Sequence, residues 1–179
     1  MKTNKIFIDP GHGGRDSGAY NSAVKVKEST VALKVAKQVK NLFKKEKKKH
    51  KFKFSRKTNK TVELNSRWQK ANAWGADISL CIHCNSSDDK SVRGAEVFCY
   101  GSNDKELAEN ISKFLSRDLG INNRGAKEYP WAMTKYPKMP AVLIETDFIS
   151  NNTFAKACKK KKYIKKIASA IYKGVIATR

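Results

Sequence analysis

Ile6-Phe7-Ile8-Asp9-Pro10-Gly11-His12-Gly13-Gly14 is the stretch that decides the fold. Its three consecutive apolar residues read as a buried strand over 5–9. Pro10-Gly11 stop that strand, because proline cannot donate to a ladder and glycine tolerates a sharp turn. The period then changes. From 28 to about 47, Val31, Val35, Val39, Leu42 and Phe43 recur every three or four residues with lysines on the other face, as in an amphipathic helix.

The rest of the chain repeats that alternation. Residues 51–56 read as a second, short strand. Thr61 is placed to cap a helix with Leu64, Trp68, Ala71 and Ala73 inward and Gly75 as its stop. Strands are expected over 78–84 and 95–100, then a helix over 103–119 with Leu107, Ile111, Phe114 and Leu115 inward and Gly120 closing it. A buried strand over 141–146 and an amphipathic helix over 160–177 complete the pattern. The expected fold is a single α/β domain over 1–179, with a mostly parallel or mixed twisted sheet flanked by helices and a site at the carboxyl ends of the strands. With 179 residues, no internal repeat and no linker rich in Gly, Pro or Ser, no second domain is expected in the chain.

Composition narrows the partners. No apolar run approaches the roughly 18–20 residues of a membrane span. Met1-Lys2-Thr3-Asn4-Lys5 is positive like the start of an export signal, but only Ile6-Phe7-Ile8 follow it, short of the about 7–15 apolar residues required, so no signal peptide is expected. The 38 Lys plus Arg against 16 Asp plus Glu leave +22, which calls for an anionic partner: nucleic acid, an acidic membrane surface or an anionic wall polymer. The basic residues are mostly lysine blocks, at 44–51 and 159–162, with little aromatic interleaving. That composition argues against specific nucleic-acid recognition. His50, set among lysines, is expected at the surface.

Cys81, His83 and Cys84 suggest a zinc site, but a strand over 78–84 puts Cys81 and His83 on one face and Cys84 on the other with Ile78, Leu80 and Ile82. Cys81, Cys84, Cys99 and Cys158 are expected as buried thiols.

Polar residues at strand ends carry the chemistry. His12 follows the first strand, Glu28 opens the first helix, His83 ends Ile78-Ser79-Leu80-Cys81-Ile82-His83, and Glu145 ends Ala141-Val142-Leu143-Ile144-Glu145. Two imidazoles and a carboxylate are the three-ligand set of a hydrolytic zinc site with one open position. His12, Glu28 and His83 supply it. Glu145, at the end of an apolar strand, needs a cation or a proton to handle.

These motifs resemble the zinc-dependent N-acetylmuramoyl-L-alanine amidases (amidase type 3), the family of bacterial cell-wall hydrolases and phage endolysins. The resemblance rests on residues 8–14 with Asp16, Gly18 and Ala19, on Glu28, Arg56, Leu64, Arg67, Ala71 and Asn72, on 79–85 with 94–97, and on 140–145 with 148–151. Cys84 and Thr146-Asp147 depart from it. The resemblance implies one Zn2+ held by His12, Glu28 and His83, with Glu145 as general base and then general acid. The substrate it implies is the amide between N-acetylmuramic acid and L-alanine in peptidoglycan.

A groove between the loop expected at 123–134 and the loops after His12 and His83 would place Arg124, Trp131 and Asn85 against the substrate. Anionic teichoic polymers would use the basic surface, and the isolated domain is expected to be monomeric. Without a signal the chain resembles an endolysin made in the host cytoplasm that reaches the wall after the membrane is permeabilised. A secreted autolysin is the reading if the sequence is part of a longer protein. The alternatives are a zinc peptidase cutting within the stem peptide and a non-catalytic basic protein that binds wall or nucleic acid.

Overall fold

Side chains that alternate along the strands set the layers of the molecule. The computed structural model describes residues 4–47 and 49–178. In chain order it contains β1 (Lys5–Pro10), β2 (Tyr20–Asn21), β3 (Val26–Lys27), α1 (Glu28–Phe43), β4 (Lys51–Phe54), α2 (Leu64–Trp74) and β5 (Ile78–Asn85). There follow β6 (Ala95–Cys99), α3 (Ser102–Leu119), β7 (Asn123–Glu128), α4 (Ala132–Lys135), β8 (Ala141–Phe148), α5 (Asn152–Cys158) and α6 (Lys161–Ala177). Ile6, Ile8, Leu80, Ile82, Val142 and Ile144 face one helix layer, where Val31, Val35, Leu107, Ile111, Ile167 and Ile171 meet them. Phe7, Cys81 and Leu143 face the other, covered by Ala71, Trp68 and Met133. Covered on both sides, the central strands are nearly continuous apolar runs, as the sequence requires.

The main sheet runs in the order β4-β1-β5-β8-β6-β7. β4, β1, β5 and β8 are parallel, while β6 pairs antiparallel with β8 and β7 parallel with β6. The fold is therefore the mixed, mostly parallel α/β sheet that the alternation predicts. Reversal at β6 brings the start of that strand to the end of the sheet where β1, β5 and β8 finish, and Glu96 falls in register with Glu145. On the helical side α6 lies close against α3, since a Cβ on Gly174 would stand 2.6 Å from the Ile111 Cα.

Several elements differ from expectation. α1 ends at Phe43, and residues 44–47 form turns rather than more helix, because the apolar repeat ends there. The lysine block at 44–51 includes Lys48, which lies outside the described residues, as does the signal-like start at 1–3. Glu63, not Thr61, occupies the N-cap of α2, and the Thr61 hydroxyl instead accepts the Arg15 N–H at 3.1 Å. Leu64 and Ala73 are exposed, and the buried residues of α2 are Arg67 and Ala71. The stretch 123–134 is no loop, since it contains β7 and α4. His50 is enclosed rather than at the surface, with its ring edge-on to Phe43 at 5.5 Å and its Nε2 at 3.1 Å from Glu46. The four cysteines are buried free thiols, and Cys81 and Cys84 lie on opposite faces of β5, as alternation demands.

Candidate metal centre and cleft

His12 stands on the turn after β1 with a left-handed backbone, φ 57°, which is uncommon for a residue with a side chain and needs outside support. Two buried arginines give that support. Arg67 donates from Nη2 to the His12 carbonyl at 2.8 Å, and from Nη1 to Pro10 at 3.0 Å and the Asp9 carboxylate at 2.9 Å. Arg56 donates from Nε to Pro10 at 3.0 Å, and from Nη2 to Gly11 at 2.7 Å and Ser29 at 2.8 Å. Gly11 admits the second imidazole, because a Cβ there would run into the His83 ring.

Asp16 orients the first ring. Its Oδ2 lies 2.7 Å from His12 Nδ1, while its Oδ1 accepts the Gly18 N–H at 2.8 Å. A carboxylate on the far nitrogen of a ligating imidazole fixes the tautomer and leaves Nε2 facing the site. Glu28, at the first turn of α1, is held from both oxygens. Oε2 accepts Ala19 N–H at 2.9 Å and Oε1 accepts Cys84 N–H at 3.1 Å. Oε1 also lies 3.1 Å from His12 Nε2 and 2.9 Å from His83 Nδ1. Candidate ligand atoms of His12, Glu28 and His83 all fall within 4.8 Å of one another.

The electrostatics describe a cation site. Burial alone would push His12 down, yet the hydrogen bond and charge of Glu28, with Asp16 behind, raise it to about 9. Burial would raise Glu28, and the two imidazoles overcome that and hold its carboxyl well below the usual range. Burial likewise opposes a charged His83, which Glu28 and Glu145 raise. Two imidazoles and one carboxylate converging on a point fit zinc, whose hydrolytic sites draw three such ligands and keep one position open.

Glu145 lies beside His83 in the β5–β8 register, and its Oε2 is buried without a hydrogen-bond partner. Burial, aided by the charges of Glu28 and Glu96 against that of His83, pushes its carboxyl up to about 7. All four residues line one cleft of about 850 Å3, together with Asp9, Leu64, Arg67, Asn85, Trp131 and Met133. Trp131 is 44% exposed on the rim and packs on Tyr129 at 4.5 Å between ring centroids.

Of the three residues expected to touch substrate, Asn85 and Trp131 line the cleft and Arg124 does not. Arg124 donates to Glu96 Oε2 at 2.8 Å, Lys127 reaches the same oxygen at 2.5 Å, and Asn85 donates to Oε1 at 2.5 Å. Sequence alone assigns no role to Asp16, Arg56, Arg67 or Glu96. The signal for Asp16 is a carboxylate four residues after His12 in a glycine turn. The arginines give none, because all their partners but the Asp9 carboxylate are backbone oxygens.

Known proteins resemble the chain along nearly its whole length. The family model described as N-acetylmuramoyl-L-alanine amidase matches residues 6–177. The chain is 39% identical over 183 residues to the N-acetylmuramoyl-L-alanine amidase LytC of Bacillus subtilis (strain 168), covering 96% of this chain and 35% of that protein. It is 32% identical over 179 residues to an endolysin of Bacillus phage SPP1, covering 95% of this chain and 64% of that one. The chain thus spans less than two thirds of the length of these curated relatives. Among solved structures, the N-acetylmuramoyl-L-alanine amidase from Clostridium difficile 630 superposes with a TM-score of 0.92 at 28% identity, over 99% of this chain and 97% of that chain. The catalytic domain of the CD27L endolysin superposes with a TM-score of 0.81 at 28% identity, over 97% of each chain. The chain belongs to the N-acetylmuramoyl-L-alanine amidase family.

Proposed function

We propose that this chain hydrolyses the amide between N-acetylmuramic acid and L-alanine in peptidoglycan, using one zinc ion held by His12, Glu28 and His83. The observation that carries this reading is the convergence of those three side chains beside the unpartnered Glu145 carboxylate, inside one open cleft. The bond is the one for which the related amidases are named.

A bound zinc supplies Lewis acidity, lowering the pKa of a water to about 7 and polarising a carbonyl oxygen. The chain's own residues do the rest. Asp16 keeps the His12 proton on Nδ1, so that Nε2 is free to ligate. Glu145 Oε2, with no other partner, takes the proton from the attacking water and returns it to the L-alanine amine as the amide breaks. Its pKa of about 7 suits both halves of that transfer near neutral pH. Trp131 and Asn85 bound the cleft where the substrate lies, and Arg124 supports Asn85 through Glu96.

Mass spectrometry of fragments released from purified peptidoglycan, with and without a chelator, tests this reading. Chelator-sensitive release of intact glycan strands and stem peptides with a free L-alanine amine is expected. New amines elsewhere in the peptide would make the chain a peptidase, and no release would leave a binding protein.

A further inference from the structure

The helix that begins with Glu28 carries a second feature, which the catalytic cleft does not use. Lys34, Lys37, Lys44 and Lys45 lie along one face of α1 and the turn that follows it, with Asn41 between them, at spacings of three and four residues. Opposite them, Lys161 and Lys165 stand one turn apart on α6, with Lys159 just before it. Between the two rows run cavities of about 300 and 480 Å3. Both are lined by Gln38 and Lys161, so they form one trough. From Lys34 to Lys44 it is about 15 Å long at 1.5 Å per helical residue.

The charge in this trough is unbalanced. No carboxylate lines it, and among the described residues none of these lysines is in an ion pair. The first turn of α6 adds to the excess, since it holds lysines and no acid at the helix end where acids are favoured. Like charges set three and four residues apart repel, and walls of one sign around a groove focus its field. Cys158, Ile164 and Leu42 supply the apolar part of the lining. No aromatic ring and no arginine line it, so it lacks the stacking surfaces and forks by which nucleic acid is held.

We propose that this trough binds a linear phosphodiester polymer of the cell wall, each lysine ammonium meeting a phosphate along the chain. The identity of the polymer rests on the reading of this chain as a wall amidase, whereas the trough itself does not. A polymer seated along α1 would hold the cleft at the wall, because the same helix carries Glu28 into that cleft.

The test compares the wild-type chain with two variants that lose equal charge. In one, Lys34, Lys37, Lys161 and Lys165 become Gln. In the other the same is done to Lys53, Lys57, Lys105 and Lys113, exposed lysines away from the trough. Binding of poly(glycerol phosphate) and of single-stranded DNA with the same number of phosphates is measured over a series of salt concentrations. The trough variant should lose about tenfold or more of its affinity for poly(glycerol phosphate) and show a shallower salt slope, with the control variant near wild type. Equal losses in both variants would reduce the effect to diffuse charge and overturn the proposal. So would tighter binding of DNA than of poly(glycerol phosphate), or no binding by the wild type. Hydrolysis of polymer-free peptidoglycan by the wild type reads the amidase assignment separately, so either can fail alone.

Discussion

Arg56 donates from Nη2 to the Ser29 carbonyl at 2.8 Å, and the same nitrogen reaches the Gly11 carbonyl at 2.7 Å. Ser29 follows Glu28 and Gly11 precedes His12. One buried guanidinium therefore ties together the backbone beside two candidate ligands that come from different elements. Its other nitrogens bind Pro10 and Thr58, so each of the three nitrogens holds a backbone carbonyl.

Replacing Arg56 by Lys should accordingly weaken metal binding. An ammonium has no planar fork and cannot span the same carbonyls. Loss of an outer-shell partner typically weakens metal affinity roughly 10–100-fold, and that range is expected for Arg56→Lys in a competition titration with a chelator. Arg56→Ala should also lower folding stability by about 3 kcal/mol or more, since several buried carbonyls lose a charged donor. Unchanged metal affinity in Arg56→Lys would contradict the brace.

The metal-free protein should show a pH signature from the same centre. His12 is raised from 6.5 to about 9, so its contribution is fully present below 6.5 and is lost as pH climbs through 9. Glu28 is lowered from 4.5, so its contribution is present above 4.5 and fades as pH falls further. The Tm difference between chelated wild type and chelated Glu28→Gln should thus be largest between those unfolded values and shrink toward pH 9. Added zinc should restore stability at the alkaline end. A difference that stays level from pH 6.5 to 9 would refute the pairing.

Glu145 predicts the acid limb of the rate profile. Its carboxyl is pushed up to about 7 and must be ionised to take a proton, so kcat/KM should rise with pH up to that region. Glu145→Gln should lose about 10²–10⁴ in kcat, the usual worth of a general base, and remove that limb. A retained limb in the variant would assign it to another group.

Trp131 and Arg124 separate a direct from an indirect contact. Trp131→Ala should raise KM on peptidoglycan with little change in metal affinity, because its exposed ring bounds the cleft without touching the centre. Arg124→Ala should act more weakly, through Glu96 and Asn85. A larger effect from Arg124 would place its side chain on the substrate.

Much of this was legible in the sequence, for a physical reason. β1, β5 and β8 are neighbours buried on both faces, so their runs are largely apolar and a histidine or glutamate late in a strand or just past it stands out. His12, His83 and Glu145 are those residues. β7 was hidden, because Asn-Arg-Gly-Ala-Lys-Glu is an edge strand with no apolar alternation. α4 has only four residues, too few for a helical period. α5 is short as well, though Asn151 caps it by accepting from Thr153 and Phe154 N–H groups. Glu96 escaped notice because it begins a strand, and only the reversal of β6 carries it to the end where the others finish. Leu64, expected to face inward, is instead exposed on the lip of the cleft that it lines.

Zinc binding and hydrolysis measured together on single variants test the central claim most directly. His12→Ala, Glu28→Ala and His83→Ala should each lose the metal, whereas Glu145→Gln should hold one zinc ion and release L-alanine-terminated peptide about 10²–10⁴-fold more slowly. Near-wild-type hydrolysis by Glu145→Gln, or hydrolysis by zinc-free protein, would contradict the division of labour between the three ligands and the base.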